Sequence, residues 1–168
     1  MRPLFHLPPA KGHRGTTLIE ALITVLVLAV AALAFAALQV RGTSHNASAS
    51  WRSQATLMAA ELTDRLRGNP VGVAAGAYNS LITPGSALAC SAAAPCTPAQ
   101  MATTDFARWR SALTNLLPSG SGVVCLDSSP SDGSSAVPAC DGLGTQLVVK
   151  VFWTERGTET RFVTAVRP

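Results

Sequence analysis

Hydrophobic residues dominate one long run near the start of the chain. Residues 18–38 read LIEALITVLVLAVAALAFAAL and carry a single charged residue, Glu20. As an α-helix this run spans about 32 Å, against about 30 Å for the hydrocarbon core of a bilayer. The run therefore predicts a helix long enough to cross a membrane.

The helical pattern continues after this run. Residues 43–68 contain no Pro, and their apolar side chains recur at intervals of three and four positions. Gly42 is the one expected weak point, and residues 68–70 (GNP) form a strong stop signal. We expect the second half of the helix to pack on a globular head through Ala55, Met58 or Ala59, Leu62 and Leu66.

A second helix is predicted further along. Residues 71–96 are rich in Ala, Gly and Ser and predict a loop. Residues 97–100 (TPAQ) carry a helix start in which Thr is the cap, Pro occupies the first turn and Gln reaches back to the cap. Pro118 is expected to end this helix. Trp109 is expected to be a core residue because it belongs to an apolar stripe of Phe106, Trp109, Leu113 and Leu116.

Short strands are predicted towards the end of the chain. Residues 128–144 are rich in Ser, Gly, Pro and Asp and predict a loop. Alternating residues on either side of a turn at 156–158 predict a hairpin. The predicted strands are residues 123–126, 147–154 and 161–166, and a further turn is predicted at residues 119–122. Three or so antiparallel strands backed by a long helix predict an α+β fold.

The basic charge of the chain is concentrated before the apolar run. The net charge is +4, but Arg2, Lys11 and Arg14 precede Thr16, and the rest of the chain carries ten Lys/Arg against nine Asp/Glu. A body this close to neutral gives no electrostatic reason to bind nucleic acid. The positive-inside rule instead predicts a cytoplasmic N-terminus, with residues 42–168 on the other side of the membrane.

Two simpler interpretations of the apolar run stay open. An ordinary secretory signal peptide also has a basic start and a small-residue cleavage site, here residues 34–36 (AFA), but its apolar stretch is usually only about 7–15 residues long. A simple single-pass anchor explains the length but gives no reason for Glu20. An ionisable group inside an apolar span is expensive and functional by default, although Glu20 can also snorkel to the interface.

The residues around Glu20 match a known pattern. Residues 15–20 (GTTLIE), with a basic leader before them and a long apolar helix after them, resemble the class III signal of type IV pilins and type II secretion pseudopilins. The resemblance implies that a prepilin peptidase cuts between Gly15 and Thr16 and that the new amine of Thr16 is N-methylated. The apolar segment then stays on the mature protein. The family most often has Phe after the Gly, where this chain has Thr16.

Further blocks resemble PilV-type minor pilins. Residues 65–70 (RLRGNP) resemble the block that closes the first helix in that family, and later blocks follow in the family's order. These later blocks are residues 77–79, 96–101, 109–110, 116–118, 122–125 and 149–156. The resemblance implies a pilin-like fold and a non-enzymatic minor pilin with roles in priming pilus assembly, twitching motility and adhesion.

The resemblance also implies how the chain is divided and what it binds. Residues 1–15 are the expected leader, residues 16–41 the transmembrane and assembly half of the helix, and residues 42–168 a periplasmic head. The expected partners are other minor and major pilins, the prepilin peptidase and the inner membrane, and the final location is the pilus fibre. There, Glu20 is expected to pair with the Thr16 amine of a neighbouring subunit, which penalises wrong registers.

The cysteines predict disulfides. All four lie beyond the apolar run, and an even count in an exported domain predicts two disulfides, for which three connectivities exist. We favour Cys90–Cys96 and Cys125–Cys140, because each pair closes a flexible stretch beside a regular element. A metal site fits poorly, since there is no C-x-x-C and two of the three histidines lie in the leader.

Catalytic and cofactor motifs are missing from the sequence. His45 is the only histidine after the leader and is expected to be solvated, so no Ser-His-Asp set is available. Asp127, Asp132 and Asp141 lack calcium-loop spacing and are expected in a solvated loop. We therefore expect neither an enzyme nor a bound cofactor or metal. The alternatives to a pilus subunit are a minor pseudopilin of a type II secretion system and an exported binding module with an ordinary signal peptide.

Overall fold

The computed structural model describes residues 17–167. Its contacts divide the chain between His45 and Asn46 into two units, which are described separately. The elements are α1 (Leu18–Gly68), α2 (Pro70–Ala74), β1 (Ser80–Leu81), α3 (Pro98–Leu116), β2 (Ser121–Leu126), β3 (Leu147–Glu155) and β4 (Thr158–Val166). The long apolar first helix and the four-stranded antiparallel sheet confirm the predicted α+β fold.

Helix α1 begins and ends close to its sequence signals. The Thr17 hydroxyl accepts a hydrogen bond from the Glu20 amide at 3.3 Å, which satisfies one of the free N–H groups of the first turn. The helix continues through Gly42 and ends at Gly68, as the stop signal predicts. In the first unit, the described side chains of α1 are exposed as far as Thr43.

In the second unit, α1 packs against α3 and the sheet around an apolar core. The buried α1 residues confirm the predicted face: Ala55, Met58, Ala59, Leu62 and Leu66. Trp109 of α3 is buried as predicted, and its indole N–H donates to the Met58 carbonyl at 2.8 Å. The indole therefore contributes its large apolar surface to the core without leaving a polar group unsatisfied.

The prediction of a loop over residues 71–96 is wrong at its beginning, where α2 and β1 form. Asn69 caps α2, because its side-chain oxygen accepts a hydrogen bond from the Gly72 amide at 3.1 Å. Its side-chain nitrogen donates to the Tyr78 hydroxyl at 3.1 Å and to the Pro98 carbonyl at 2.8 Å. Asn69 thus joins the end of α1 to α2 and α3, through a contact with a residue distant in sequence that composition does not reveal.

Helix α3 begins at the predicted capping box. The Thr97 hydroxyl accepts from the Gln100 amide at 3.2 Å, and the Gln100 side-chain oxygen accepts from the Thr97 amide at 3.0 Å. The apolar stripe is buried as predicted except at its last member, Leu116, which is 47% exposed. The prediction fails there because α3 ends at Leu116, and Leu117 takes the buried place in the extended chain that follows.

The sheet has the order β1-β2-β3-β4, and each neighbouring pair is antiparallel. Strand β2 begins at Ser121, so the turn predicted over residues 119–122 extends too far. Strand β4 begins at Thr158, earlier than predicted, because Arg156 and Gly157 form a two-residue connection. Both have positive φ, 51° and 80°, as the tight turns of hairpins require.

Both faces of this sheet are covered. The first face joins the core formed with α1 and α3, through residues such as Val124 and Val149. The second face lies under residues 127–146, named here the β2–β3 loop, although the sequence predicted a solvated loop in this region. An apolar cluster on this face contains Val123, Cys125 and Phe152, with Cys140 of the loop packed against them.

Candidate functional site

The first half of α1 presents its apolar side chains outward. Among the described helices, α1 is the one long and apolar enough to cross a membrane by length and composition, and its apolar part buries no side chain. The large apolar side chains of residues 18–40 are between 52% and 84% exposed. A contiguous apolar surface of this size marks a membrane or protein contact, because it is costly to leave in water.

Glu20 and Thr24 are the polar residues within this apolar run, and they differ in how they are satisfied. The Thr24 hydroxyl donates to the Glu20 carbonyl at 2.7 Å and lies 2.9 Å from the Ala21 carbonyl, so its hydrogen-bond donor is satisfied within the helix. Within residues 17–167, no hydrogen bond or ion pair joins the exposed Glu20 carboxylate to another group. Glu20 is therefore the polar group of this segment that still needs a partner in an apolar environment.

Gly15 and Thr16 lie outside the described residues. Cleavage between them, N-methylation of Thr16 and the pairing of its amine with Glu20 all stay predictions. His45, the histidine next to the boundary between the two units, is exposed as expected.

Glu155, at the end of β3, ties the sheet to α1 within the second unit. Its carboxylate accepts hydrogen bonds from the Ser48 hydroxyl and the Trp153 indole, both at 2.7 Å, and Arg52 Nε lies 3.9 Å away. The hydrogen bond from Ser48 is the main cause that lowers the pKa of Glu155, and Trp153 and Arg52 add to it. These groups stabilise the charged carboxylate against the opposing effect of burial.

The structure contains the two disulfides favoured from the sequence. Cys90–Cys96 lies in the exposed segment before α3, with a Cα–Cα distance of 5.3 Å. Cys125–Cys140 joins β2 to the β2–β3 loop, with a Cα–Cα distance of 6.0 Å. The second disulfide therefore fixes the loop to the face of the sheet that the helices leave open.

A buried charged centre lies beneath the β2–β3 loop. The Lys150 ammonium is 2.5 Å from Asp127 Oδ2, and both side chains are 0% exposed. Lys150 Nζ also donates to Asp132 Oδ1 and the Asp132 carbonyl, both at 3.2 Å, and to the Pro138 carbonyl at 2.9 Å. The expectation that Asp127 is solvated is therefore wrong. No local pattern indicated this centre, because Lys150 fits the alternation of β3 as an outward polar residue does.

Two further side chains of β4 hold the same loop. The Arg161 guanidinium donates to the Gly133 carbonyl at 2.7 Å and to the Ser131 carbonyl. The Glu159 carboxylate accepts from the Ser135 amide at 3.1 Å and from its hydroxyl. The middle of the loop is thus fixed by hydrogen bonds to a strand that is distant in sequence.

The other two aspartates of the loop, Asp132 and Asp141, accept hydrogen bonds from serines of the same loop. Asp132 accepts a hydrogen bond from Ser129, which is the main cause that lowers its pKa, and Lys150 adds to it. Asp141 accepts from Ser128, which likewise lowers the pKa of Asp141. Among residues 17–167, no group of three or more His, Cys, Asp or Glu is arranged to hold a metal ion.

Comparison with known proteins gives one family. Residues 37–107 match the Tt1218-like family, described as type IV pilin Tt1218. The match supports a type IV pilin. It covers less than half of the chain, from the end of the apolar run to the middle of α3, and it supports a structural role as a pilus subunit. No curated protein and no solved structure matches the chain.

Proposed function

We propose that this protein is a minor pilin of a type IV pilus, of the PilV type, without enzymatic activity. The contrast between the two halves of α1 carries this proposal. Residues 18–38 expose every side chain, whereas residues 55–66 bury an apolar face in the second unit. The exposed half needs an apolar environment, which is first the inner membrane and then the packed helices of neighbouring pilins in the fibre.

Processing and topology follow from the leader. The basic residues before the apolar run keep the N-terminus in the cytoplasm, where a prepilin peptidase cuts between Gly15 and Thr16 and Thr16 becomes N-methylated. Residues 16–41 stay on the mature chain as the anchor, and residues 42–168 form a periplasmic head. The signal at residues 15–20 and the family match over residues 37–107 do not overlap, so they support the proposal separately.

Glu20 sets the register of the subunit in the fibre. Its carboxylate has no partner within residues 17–167, whereas Thr24 is satisfied by its own helix. The free amine of Thr16 on a neighbouring pilin supplies a charge of opposite sign in an apolar bundle, where an unpaired charge is strongly disfavoured. Helices that slip past one another would lose this pair, so the pairing selects one arrangement.

The register role is tested by substituting Glu20. We expect Glu20→Ala and Glu20→Gln to leave the protein in the membrane and to reduce its recovery in sheared pili at least tenfold. Gln39→Ala is the matched control, because Gln39 is an exposed polar residue of the same helix and is expected to enter pili normally. Normal incorporation of both Glu20 variants would show that Glu20 does not set the register.

A minor pseudopilin of a type II secretion system is the second candidate, because the N-terminal signal is common to both systems. Deletion of the protein separates the two. A pilus subunit predicts loss of surface pili, twitching motility and adhesion with normal secretion of exported enzymes. Loss of secretion with normal pili would instead favour the pseudopilin.

A further inference from the structure

The buried contact between Lys150 and Asp127 carries an inference that does not depend on the proposed function. The geometry points to an intramolecular isopeptide bond, formed when the Lys150 amine condenses with the Asp127 carboxyl group. The bond joins β3 covalently to the start of the β2–β3 loop, beside the Cys125–Cys140 disulfide. Lys150 Nζ is already 2.5 Å from Asp127 Oδ2, and neither side chain is exposed.

The two oxygens of the Asp127 carboxyl have different surroundings. Oδ1 accepts a hydrogen bond from the Ser129 amide at 3.0 Å. Oδ2 is buried and, within residues 17–167, accepts no well-directed hydrogen bond, although Lys150 Nζ lies beside it. Oδ2 is therefore the oxygen that leaves, while Oδ1 stays as the amide oxygen and keeps its hydrogen bond to Ser129.

Burial favours the uncharged product. In water, hydration of the ammonium and the carboxylate opposes their condensation. At this site both groups have already lost that hydration, which is costly even for a paired charge. An amide carries no net charge and removes the penalty. The nearby apolar cluster, with Val123 and Phe152 on the same face of the sheet, keeps the site poor in water.

The step balances without any further reactant. A proton first passes from the Lys150 ammonium to the Asp127 carboxylate, which gives a neutral amine and a carboxylic acid. Nζ then attacks Cγ, the N–C bond forms, the Cγ–Oδ2 bond breaks, and the oxygen leaves as water with the acid proton and one proton from Nζ. Asp132 carries that last proton, since its Oδ1 lies 3.2 Å from Nζ.

The surroundings also suit the leaving water and the product. The Asp132 side chain is 50% exposed, so its side of the centre gives the water molecule a way out. The amide keeps one N–H on Nζ, and the Pro138 carbonyl at 2.9 Å is placed to accept it. Both polar groups of the new amide are therefore satisfied by the loop.

Trypsin digestion tests the bond on the full chain purified in detergent, reduced and alkylated before mass spectrometry. No Lys or Arg lies between Arg110 and Lys150, and the next cleavage site after Lys150 is Arg156. The isopeptide predicts one peptide, residues 111–156, lighter than its sequence by one water molecule. Separate peptides 111–150 and 151–156 at full mass, or an intact 111–156 peptide at full mass, would overturn it.

A loss of water has a competing source that the same digest identifies. The steps Asp132–Gly133 and Asp141–Gly142 can lose water as succinimides. A succinimide leaves Lys150 open to trypsin, so water loss with normal cleavage after Lys150 also overturns the proposal. Fragment ions that join the Lys150 and Asp127 side chains support it.

Substitutions of the three loop aspartates test which of these side chains bond formation requires. Asp127→Ala should release the separate peptides, but it leaves Lys150 buried without its closest partner and risks misfolding. Asp132→Asn keeps the reacting pair and removes the proton carrier, so we expect most of the protein to stay uncondensed. Asp141→Asn is the control, because Asp141 contacts Ser128 rather than Lys150, and it should form the bond fully. Complete bond formation in Asp132→Asn would overturn the role given to Asp132.

Discussion

The side-chain amide of Asn69 donates to the Tyr78 hydroxyl across 3.1 Å, and both residues are buried. The same amide reaches the Pro98 carbonyl, and the side-chain oxygen caps α2 at Gly72. Desolvation by burial raises the pKa of Tyr78, so the phenol stays neutral. One side chain therefore fixes how the chain leaves α1 and how α3 begins.

Substituting Asn69 is expected to destabilise the protein more than removing the hydroxyl of its partner Tyr78. Asn69→Ala leaves three polar groups without their hydrogen bonds and should lower the free energy of unfolding by about 2–4 kcal/mol. Tyr78→Phe leaves the bond to Pro98 intact and should cost only about 1 kcal/mol. Denaturant unfolding in detergent measures both. Asn115→Ala, at an exposed position of α3, is the control and should change little; equal losses in all three variants would contradict the account.

Gly122 is predicted to tolerate no side chain. A Cβ there would lie 2.4 Å from Trp109 Cη2 and 2.9 Å from the Lys150 carbonyl, so β2 and α3 would have to move apart. We expect Gly122→Ala to lower the free energy of unfolding by about 1–3 kcal/mol. Gly85→Ala is the matched control, because a Cβ at Gly85 meets nothing within 4 Å. A Gly122→Ala protein as stable as the control would show that β2 and α3 are not packed this closely.

The two disulfides should differ in what they contribute. The separations of 6 and 15 residues predict stabilisation of about 2 kcal/mol for Cys90–Cys96 and about 3 kcal/mol for Cys125–Cys140 through chain entropy. The double substitution Cys125→Ala, Cys140→Ala should also loosen the β2–β3 loop, since the disulfide that joins the loop to β2 is lost. Limited proteolysis with mass spectrometry detects this as new cuts within residues 127–146. The Cys90→Ala, Cys96→Ala protein should show none there.

Glu155 predicts a loss of stability in acid. Its pKa in the folded protein is below the ordinary value of 4.5, so its stabilisation is present above that value and disappears as the pH falls through the lowered pKa. We expect Glu155→Gln to be less stable than the unsubstituted chain at neutral pH and to lose less stability below pH 4.5. Unfolding curves at several pH values measure this. Asp64→Asn, which removes an exposed partner of Arg67, should keep the steeper acid loss.

Local signals in the sequence predicted α1 and α3 well but missed the short helix α2. The buried face of α1 and the capping box of α3 depend on residues three or four positions apart, so short-range spacing suffices to find them. The prediction for Leu116 was wrong because the apolar stripe shows which side of the helix is apolar but not how far along the helix that side is packed against other elements. Residues 68–70 correctly predict the end of α1, yet the role of Asn69 depends on Tyr78 and Pro98, which no local pattern connects to it.

The features that the sequence did not predict depend on contacts between residues distant in sequence. The alternation of β3 separates its two faces, but only the fold brings the β2–β3 loop over the second face. Lys150 and Asp127 are charged residues that ordinarily stay in water, and each is buried because the other lies beside it. At the candidate site, the exposed apolar half of α1 was predicted directly from composition, whereas the absence of a partner for Glu20 within the described residues required the structure.

The central claim is that residues 16–41 remain on the mature protein as an assembly helix. The most direct measurement is the N-terminal sequence of the protein isolated from membranes, read by mass spectrometry of its first peptide. The account predicts a chain that begins at Thr16, carries a methyl group on its amine and is recovered in the detergent fraction. A water-soluble chain that begins at Ala37, after cleavage by ordinary signal peptidase, would contradict it.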